Sequence, residues 1–302
     1  MLTLNLKPVL TDEETAALAG RLLPASAAPL VLREDADVWR PDGTLLLRFR
    51  KRVFGFDECR TAWRALRAAA VTTDNRGVAA GAIDDPGATE RPAAIVTGTR
   101  YRPLKRDGTV SNTNFAKKVR SGVIGFFDRN VRIPYCRQTA FNINHASRFA
   151  AALPFIQSVS RVFQRELPER WAAQRAICDQ THPDFLIPGT VFTTVTVNRN
   201  WQTAVHKDAG DLPEGFGVLS ALSVGDYDGC YFCFPQYGVA ADLRTGDLLL
   251  GDVHAWHGNT PLRGRGNYER LSLVFYYRSR MRDCGSAEAE LSRARSGLRT
   301  LR

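Results

Sequence analysis

The stretch FTTVTVNRNWQTAVHKDAGD, Phe192 to Asp211, decides how the rest of the chain is read. It opens as a β-branched run in which Thr194, Val195, Thr196 and Val197 alternate as a strand does. The small residues, proline and glycine beyond Asp208 read as a loop. On this reading His206 and Asp208 lie two residues apart at a strand end and point to the same face.

An imidazole and a carboxylate on one face make two thirds of a facial metal site. A second histidine completes the two-His, one-carboxylate set of non-haem iron(II) oxygenases, which leaves coordination positions open. His-x-Asp alone is equally a histidine hydrogen-bonded to a nearby acid. The distal donor is sought in GDVHAWHG, Gly251 to Gly258, which holds both His254 and His257. Their odd separation sends them to opposite faces of a straight strand. Further on, Arg270 opens the apolar run RLSLVFYY. A guanidinium there is costly unless it meets an anion, and its planar fork suits a carboxylate. Ser272 shares its parity. A salt bridge at a strand edge is the plain alternative.

These segments resemble the TET/JBP group, the ten-eleven translocation and J-binding-protein dioxygenases that oxidise the 5-methyl of pyrimidines in DNA. The resemblance rests on FTTVTVNRNWQTAVHKDAGD and on HGNTPLRGRGNYERLSLVFYYR (His257 to Arg278), and less on TDNRGVAAG (Thr73 to Gly81) and CRQTAFN (Cys136 to Asn142). Compact protist and phage members are the better match, since the Cys-rich region of the animal enzymes has no counterpart. The resemblance implies an α+β fold around a double-stranded β-helix, a jelly roll, which the many short strands between 185 and 277 also suggest. Strands are expected near 190–198, 217–224, 229–235, 239–241, 247–250 and 270–277.

The same resemblance implies a site. His206, Asp208 and His257 would hold Fe(II), with His257 preferred over His254 because Gly-Asn-Thr-Pro-Leu follows it. Arg270 and Ser272 would bind the far carboxylate of 2-oxoglutarate, and dioxygen would take the last position. Arg76 is a further cosubstrate contact, or a solvated arginine in a turn. Asp211 corresponds to a base-edge contact, Thr196 to a residue near the methyl, and Tyr276 to one that packs on the base. Arg278 stands where animal members carry a histidine, and phosphate binding is its alternative role. The implied substrate is a 5-methylpyrimidine flipped out of double-stranded DNA. An ionised Asp211 would accept from cytosine N4–H2 and oppose thymine O4, which favours 5-methylcytosine. Thymine in DNA, a non-DNA substrate, and a turnover-free binding module are the alternatives.

Length and composition agree with this reading. The 302 residues are 44% hydrophobic, enough for one large domain. We expect a single catalytic domain over 1–302, with a supporting region 1–110, a dioxygenase core 111–280 and a basic tail 281–302. The net charge of +10 suits a polyanionic partner as well as plain solubility. No apolar run is long enough to span a bilayer and no signal peptide is evident, so a bacterial or phage-host cytoplasm is expected, with a monomer favoured. The six cysteines are expected as reduced, mostly buried thiols. Cys230 and Cys233 have zinc-like spacing but no second pair.

The remaining expectations concern support and DNA. Thr11-Asp-Glu-Glu14 has the form of a capping box. Thr44 to Phe54 reads as a strand, Phe56 to Val71 as an amphipathic helix, and 82–95 as an exposed loop. Arg100, Arg102, Lys105, Arg106, Lys117, Lys118 and Arg120, around Tyr101 and Phe115, form a DNA-facing basic region or a solvated face. Asn142 and Phe141 are candidates to lie beside the base. Residues 149–178 carry one long helical stripe, and Asp211 to Gly217 a mobile loop beside the metal.

Overall fold

The computed structural model describes residues 1–81, 93–97, 100–103, 105, 107–111, 117–208, 210–212 and 214–299. Two sheets face one another. The larger follows the order Leu2–Asn5, Ala36–Trp39, Leu45–Arg50, Leu248–Gly251, Gly217–Gly229, Leu262–Tyr276, Thr194–Arg199, Val119–Phe127 and Thr72–Thr73, with Arg137–Gln138 paired to Val119–Phe127. The smaller runs Gly258–Asn259, Phe232–Phe234, Val239–Ala241 and Leu30–Leu32.

Side-chain alternation decides what each face of the large sheet does. Val195 and Val197 of one strand, and Leu271, Leu273 and Phe275 of its neighbour, point into a core shared with Phe155, Ile156, Val159 and Phe163 of the helix Ala146–Glu166. The intervening residues, Thr196 and Asn198 on one strand and Arg270, Ser272 and Tyr276 on the other, line the cavity on the opposite face. A second core, with Phe49, Leu219, Phe234, Val239 and Leu249, seals the two sheets together beside that cavity. The sheet is thus apolar towards its helices and polar towards the site.

Several boundaries differ from expectation. The last strand begins at Leu262, so Arg270 lies within a strand and does not open one. The basic segment around Arg263 and Arg265 is the exposed outer half of that strand, paired with Asp226 to Gly229. This long ribbon is interrupted between Val224 and Asp226, where Gly225 has φ +73° and a Cβ would lie 2.2 Å from the Asn267 carbonyl oxygen. The stripe over 149–178 is two helices, Ala146–Glu166 and Pro168–Cys178. Pro168 starts the second and forces Leu167 out of helical geometry. The capping box at Thr11 is present, with Glu14 answering it.

Two further expectations change. Cys136 and Cys284 form a disulfide across 148 residues of sequence, while Cys59, Cys178, Cys230 and Cys233 are free and buried. Sequence spacing carries no sign that those two thiols meet. Of the loop 82–95, residues 82–92 lie outside the described residues, and 93–97 pair with 100–103 as a hairpin. Arg106 and Phe115 of the basic region also lie outside them. Among the described residues no helix is long and apolar enough to cross a membrane.

Candidate active site

The β-branched strand stops at Arg199, seven residues before His206, so His206 and Asp208 are not placed by strand alternation. Asn200 turns the chain at φ 47°, and its side-chain oxygen accepts the Arg270 N–H at 2.7 Å. The chain then returns to pair with the distal segment. His206 and His257 form an isolated antiparallel bridge, each N–H donating to the other's carbonyl at 2.9 Å. Gly258 permits this approach, since a Cβ there would lie 3.2 Å from backbone atoms of Ala204 and Val205. Asp208 is fixed by its own N–H donating to the Val253 carbonyl at 3.1 Å.

Both imidazoles are oriented in the same way. His206 Nδ1 lies 2.8 Å from the Ala204 carbonyl and His257 Nδ1 3.0 Å from that of Ala255. Each Nδ1 donates to the carbonyl two residues back, which turns each Nε2 towards Asp208 and, in the neutral ring, leaves it as a lone-pair donor. The two Nε2 atoms stand 3.2 and 3.9 Å from Asp208 Oδ1. The donor atoms of all three residues lie within 4.8 Å of one another. The Phe232 ring stacks on the buried His257 ring, with centroids 5.1 Å apart. His254 is turned away: its half-exposed ring faces Asp252 at 3.5 Å.

The three side chains set one another's charge, and a cation at the triad would take the place of the proton that Asp208 favours on His206. Burial pushes His257 down to about 4, with His206 adding to the effect, which keeps it neutral. Burial would also raise Asp208, but the hydrogen bond from His206 and the neighbouring imidazoles of His257, His206 and His254 hold it below the usual carboxylate range. For His206, burial opposes protonation, yet the hydrogen bond and charge of Asp208 prevail and raise its pKa. An anionic oxygen between two nitrogen donors is the set that non-haem Fe(II) takes.

The triad opens on a cavity of about 550 Å³, large enough for a small diacid and a base together. Arg270 lines it, only 3% exposed. One of its terminal nitrogens donates to Ser272 Oγ, while Nε has no hydrogen-bond partner, and among the described residues no carboxylate pairs with it. Arg76 lines the same cavity, donates weakly to the Gly122 carbonyl at 3.3 Å, and also has an unpartnered buried Nε. Buried guanidinium groups without acids are costly. A small dicarboxylate chelating at the triad fits these groups.

The other candidates divide. Thr196 and Tyr276 line the cavity with their hydroxyls 3.3 Å apart. Asp211 also lines it and forms a backbone bridge with Arg278; the Leu212 N–H donates to Tyr277, so the start of the expected mobile loop is tied to the sheet. Burial and the neighbouring Asp208 push the Asp211 carboxyl well above its usual range, against the pull of Arg278. Arg278 lines the cavity, and its Nε donates to Asp128 Oδ1 at 2.7 Å. Asn142 is a correction. It is buried outside the cavity, and its side-chain oxygen accepts from the Gly125 N–H and the Thr139 hydroxyl, so it holds the start of a short helix. Phe141 belongs to the core. Asn198 was missed. It lines the cavity opposite Ser272, with its oxygen accepting from Ser121 at 2.5 Å. Its parity with Thr196 was the available signal.

Fold and site together define an oxygenase of the facial-triad class. Residues 123–279 match the oxygenase domain of the 2OGFeDO superfamily, Tet_JBP, and the chain belongs to that family. It is 38% identical over 165 residues to thymine dioxygenase JBP1 of Trypanosoma brucei brucei, covering 53% of this chain and 19% of that protein. It is 34% identical over 218 residues to thymine dioxygenase JBP1-B of Trypanosoma cruzi, covering 70% of this chain and 26% of that protein. The chain therefore spans about a quarter or less of the length of these curated relatives. Its fold is similar to NgTET1 in complex with 5mC DNA, with a TM-score of 0.53 and 11% identity over 88% of this chain and 86% of that one. The core is accordingly a double-stranded β-helix within an α+β fold, and membership implies Fe(II), 2-oxoglutarate and dioxygen as cofactors.

Proposed function

We propose that this chain hydroxylates the 5-methyl group of a pyrimidine in DNA. The observation that carries the reading is the single cavity surface joining the His206–Asp208–His257 triad, the buried Arg270 and the polar group Thr196, Asp211, Tyr276 and Arg278. In the reading, His206, Asp208 and His257 hold the iron, Arg270 and Ser272 grip the distal carboxylate of 2-oxoglutarate, and Arg76 supports it. When bound, iron with 2-oxoglutarate and dioxygen supplies the oxidant that converts a methyl C–H to C–OH, with succinate and carbon dioxide as the other products.

The protein's part is to bind, orient and exclude water. A methyl group inside a duplex cannot reach a triad that lines a cavity, so the nucleotide must turn out of the stack. Thr196 and Tyr276 form one wall for the base, and Asp211 and Arg278 offer an acceptor beside a donor. That order matches the cytosine edge, where N4–H2 donates and N3 accepts, and our finer proposal is therefore 5-methylcytosine. The second reading is thymine. It is supported by the names of the T. brucei and T. cruzi relatives and by the raised pKa of Asp211, since a neutral carboxyl donates to O4. Anaerobic loading with Fe(II) and 2-oxoglutarate, followed by air, tests the choice with duplexes containing 5-methylcytosine or thymine. Nucleoside mass spectrometry should find 5-hydroxymethylcytosine. Hydroxymethyluracil alone would select thymine, and no oxidised base in either duplex would refute the DNA reading.

A further inference from the structure

The segment from Asp128 to Arg137 runs from the end of the strand Val119–Phe127 to the surface, and the chemistry above makes no use of it. Its tip is Val131, whose side chain is fully exposed. The tip is not slack. The Asn130 side-chain oxygen accepts from the N–H groups of Arg132 and Ile133 at 3.0 and 2.9 Å, and Asn130 and Ile133 exchange backbone hydrogen bonds. Both stems are tied to one buried acid. Arg129 donates to the two oxygens of Glu290, and the Cys136 N–H donates to Glu290 Oε2 at 2.7 Å. The disulfide from Cys136 to Cys284 fastens the same point covalently.

A single exposed aliphatic residue is ordinary on a protein surface. The position of this one is not. Asp128 accepts from Arg278, which lines the cavity, and Val131 follows three residues later. Its Cα therefore lies no more than about 11 Å from that of Asp128. Arg132 beside it is exposed, as are Arg280 and Arg282 on the turn after Arg278. A clamped apolar tip beside the exposed Arg132, three residues from the acid that holds the cavity residue Arg278, has the features of a side chain that enters a base stack while an arginine holds a flanking phosphate.

Resting on the DNA reading above, we propose that Val131 is a wedge. It enters the duplex beside the target nucleotide and fills the space that the base leaves on turning into the cavity, with Arg132 on a neighbouring phosphate. Flipping is costly in a matched duplex and nearly free in a single strand. The wedge therefore acts on the first and not on the second.

The test compares the unaltered protein, Val131→Ser and Val131→Leu on one target sequence, as single strand, matched duplex and duplex with a mismatch at the target. Val131→Ser should slow oxidation of the matched duplex about tenfold, and that of the single strand less than about twofold, with the mismatch in between. Val131→Leu should keep duplex activity. A 2-aminopurine placed next to the target should brighten with the unaltered protein and much less with Val131→Ser, which reads stack opening without turnover. Equal slowing on single strand and duplex, or none on either, would overturn the wedge. If the unaltered protein oxidises no DNA of any form, the DNA reading itself fails and the wedge falls with it.

Discussion

His206 and His257 exchange both of their backbone hydrogen bonds, so the two nitrogen donors of the candidate site are held by main chain before either side chain contributes. Removing one imidazole should therefore leave the fold in place. His257→Ala is expected to lower Fe(II) affinity by about a hundredfold or more, while the far-ultraviolet circular dichroism is unchanged. His254→Ala should stay within about twofold of the unaltered protein, because that ring faces Asp252. Equilibrium dialysis with Fe(II) under argon makes the comparison, and a reversed order of the two variants would move the third ligand to His254.

Arg270 separates binding from stability. Arg270→Lys keeps a charge but loses the fork, and should weaken 2-oxoglutarate about tenfold; Arg270→Met should weaken it about a hundredfold. The Met variant should melt at the same temperature as the unaltered protein without ligand, or higher, because the guanidinium it removes is buried and has no acid among the described residues. Calorimetry and a melting curve give both numbers. A sharply lower melting temperature with unchanged 2-oxoglutarate binding would make Arg270 a structural residue.

The Cys136–Cys284 bond closes a long stretch of chain, so its loss should release much unfolded-state entropy. Cys136→Ser with Cys284→Ser is expected to cost about 2–4 kcal/mol. Excess reductant should bring the unaltered protein to the stability of the double variant. Chemical denaturation with and without dithiothreitol tests this, and a double variant as stable as the oxidised protein would contradict it.

Glu290 provides a pH signature. Burial would raise its pKa, but donors from Arg129, Gly285 and Cys136 draw it down to about 2, below the ordinary 4.5. A depressed folded-state pKa contributes stability that is fully present above the unfolded value and lost as pH falls through the folded one. The contribution, on the order of 3 kcal/mol, should therefore be whole above about pH 5 and fade between about 4.5 and 2. Against Glu290→Gln, the stability difference from urea titrations should narrow across that window. A difference constant from pH 6 to pH 2.5 would show that the charge of Glu290 is not what holds the loop.

Asp211→Asn probes the base edge. An amide both donates and accepts. The variant should narrow the ratio of rates on 5-methylcytosine and thymine duplexes to within about threefold, whichever base the unaltered protein prefers. A ratio unchanged by the substitution would place base choice elsewhere in the cavity.

Much of the architecture was legible because alternation is a local signal. Val195 and Val197 against Thr196 and Asn198 already separate core from cavity, and Arg270 with Ser272 against Leu271 and Leu273 repeats the division. The grouping of His206 with Asp208 was also readable, but for the wrong reason. Their placement comes from pairing with the His257 segment, a long-range bridge that no local pattern encodes. The same limit hid the Cys136–Cys284 bond and the tie from Glu290 to Arg129. The role of Asn142 is not legible, because a polar residue beside a phenylalanine looks the same whether it meets a ligand or, as here, satisfies a glycine N–H.

The most direct measurement is stoichiometric. Protein loaded with Fe(II) and 2-oxoglutarate is given air and a duplex carrying one 5-methylpyrimidine, and succinate and modified nucleoside are counted together. We expect one succinate for each methyl group that gains an oxygen atom, and neither product from Asp208→Ala. An oxidised base without succinate, or succinate released while the DNA stays unchanged, would contradict this expectation.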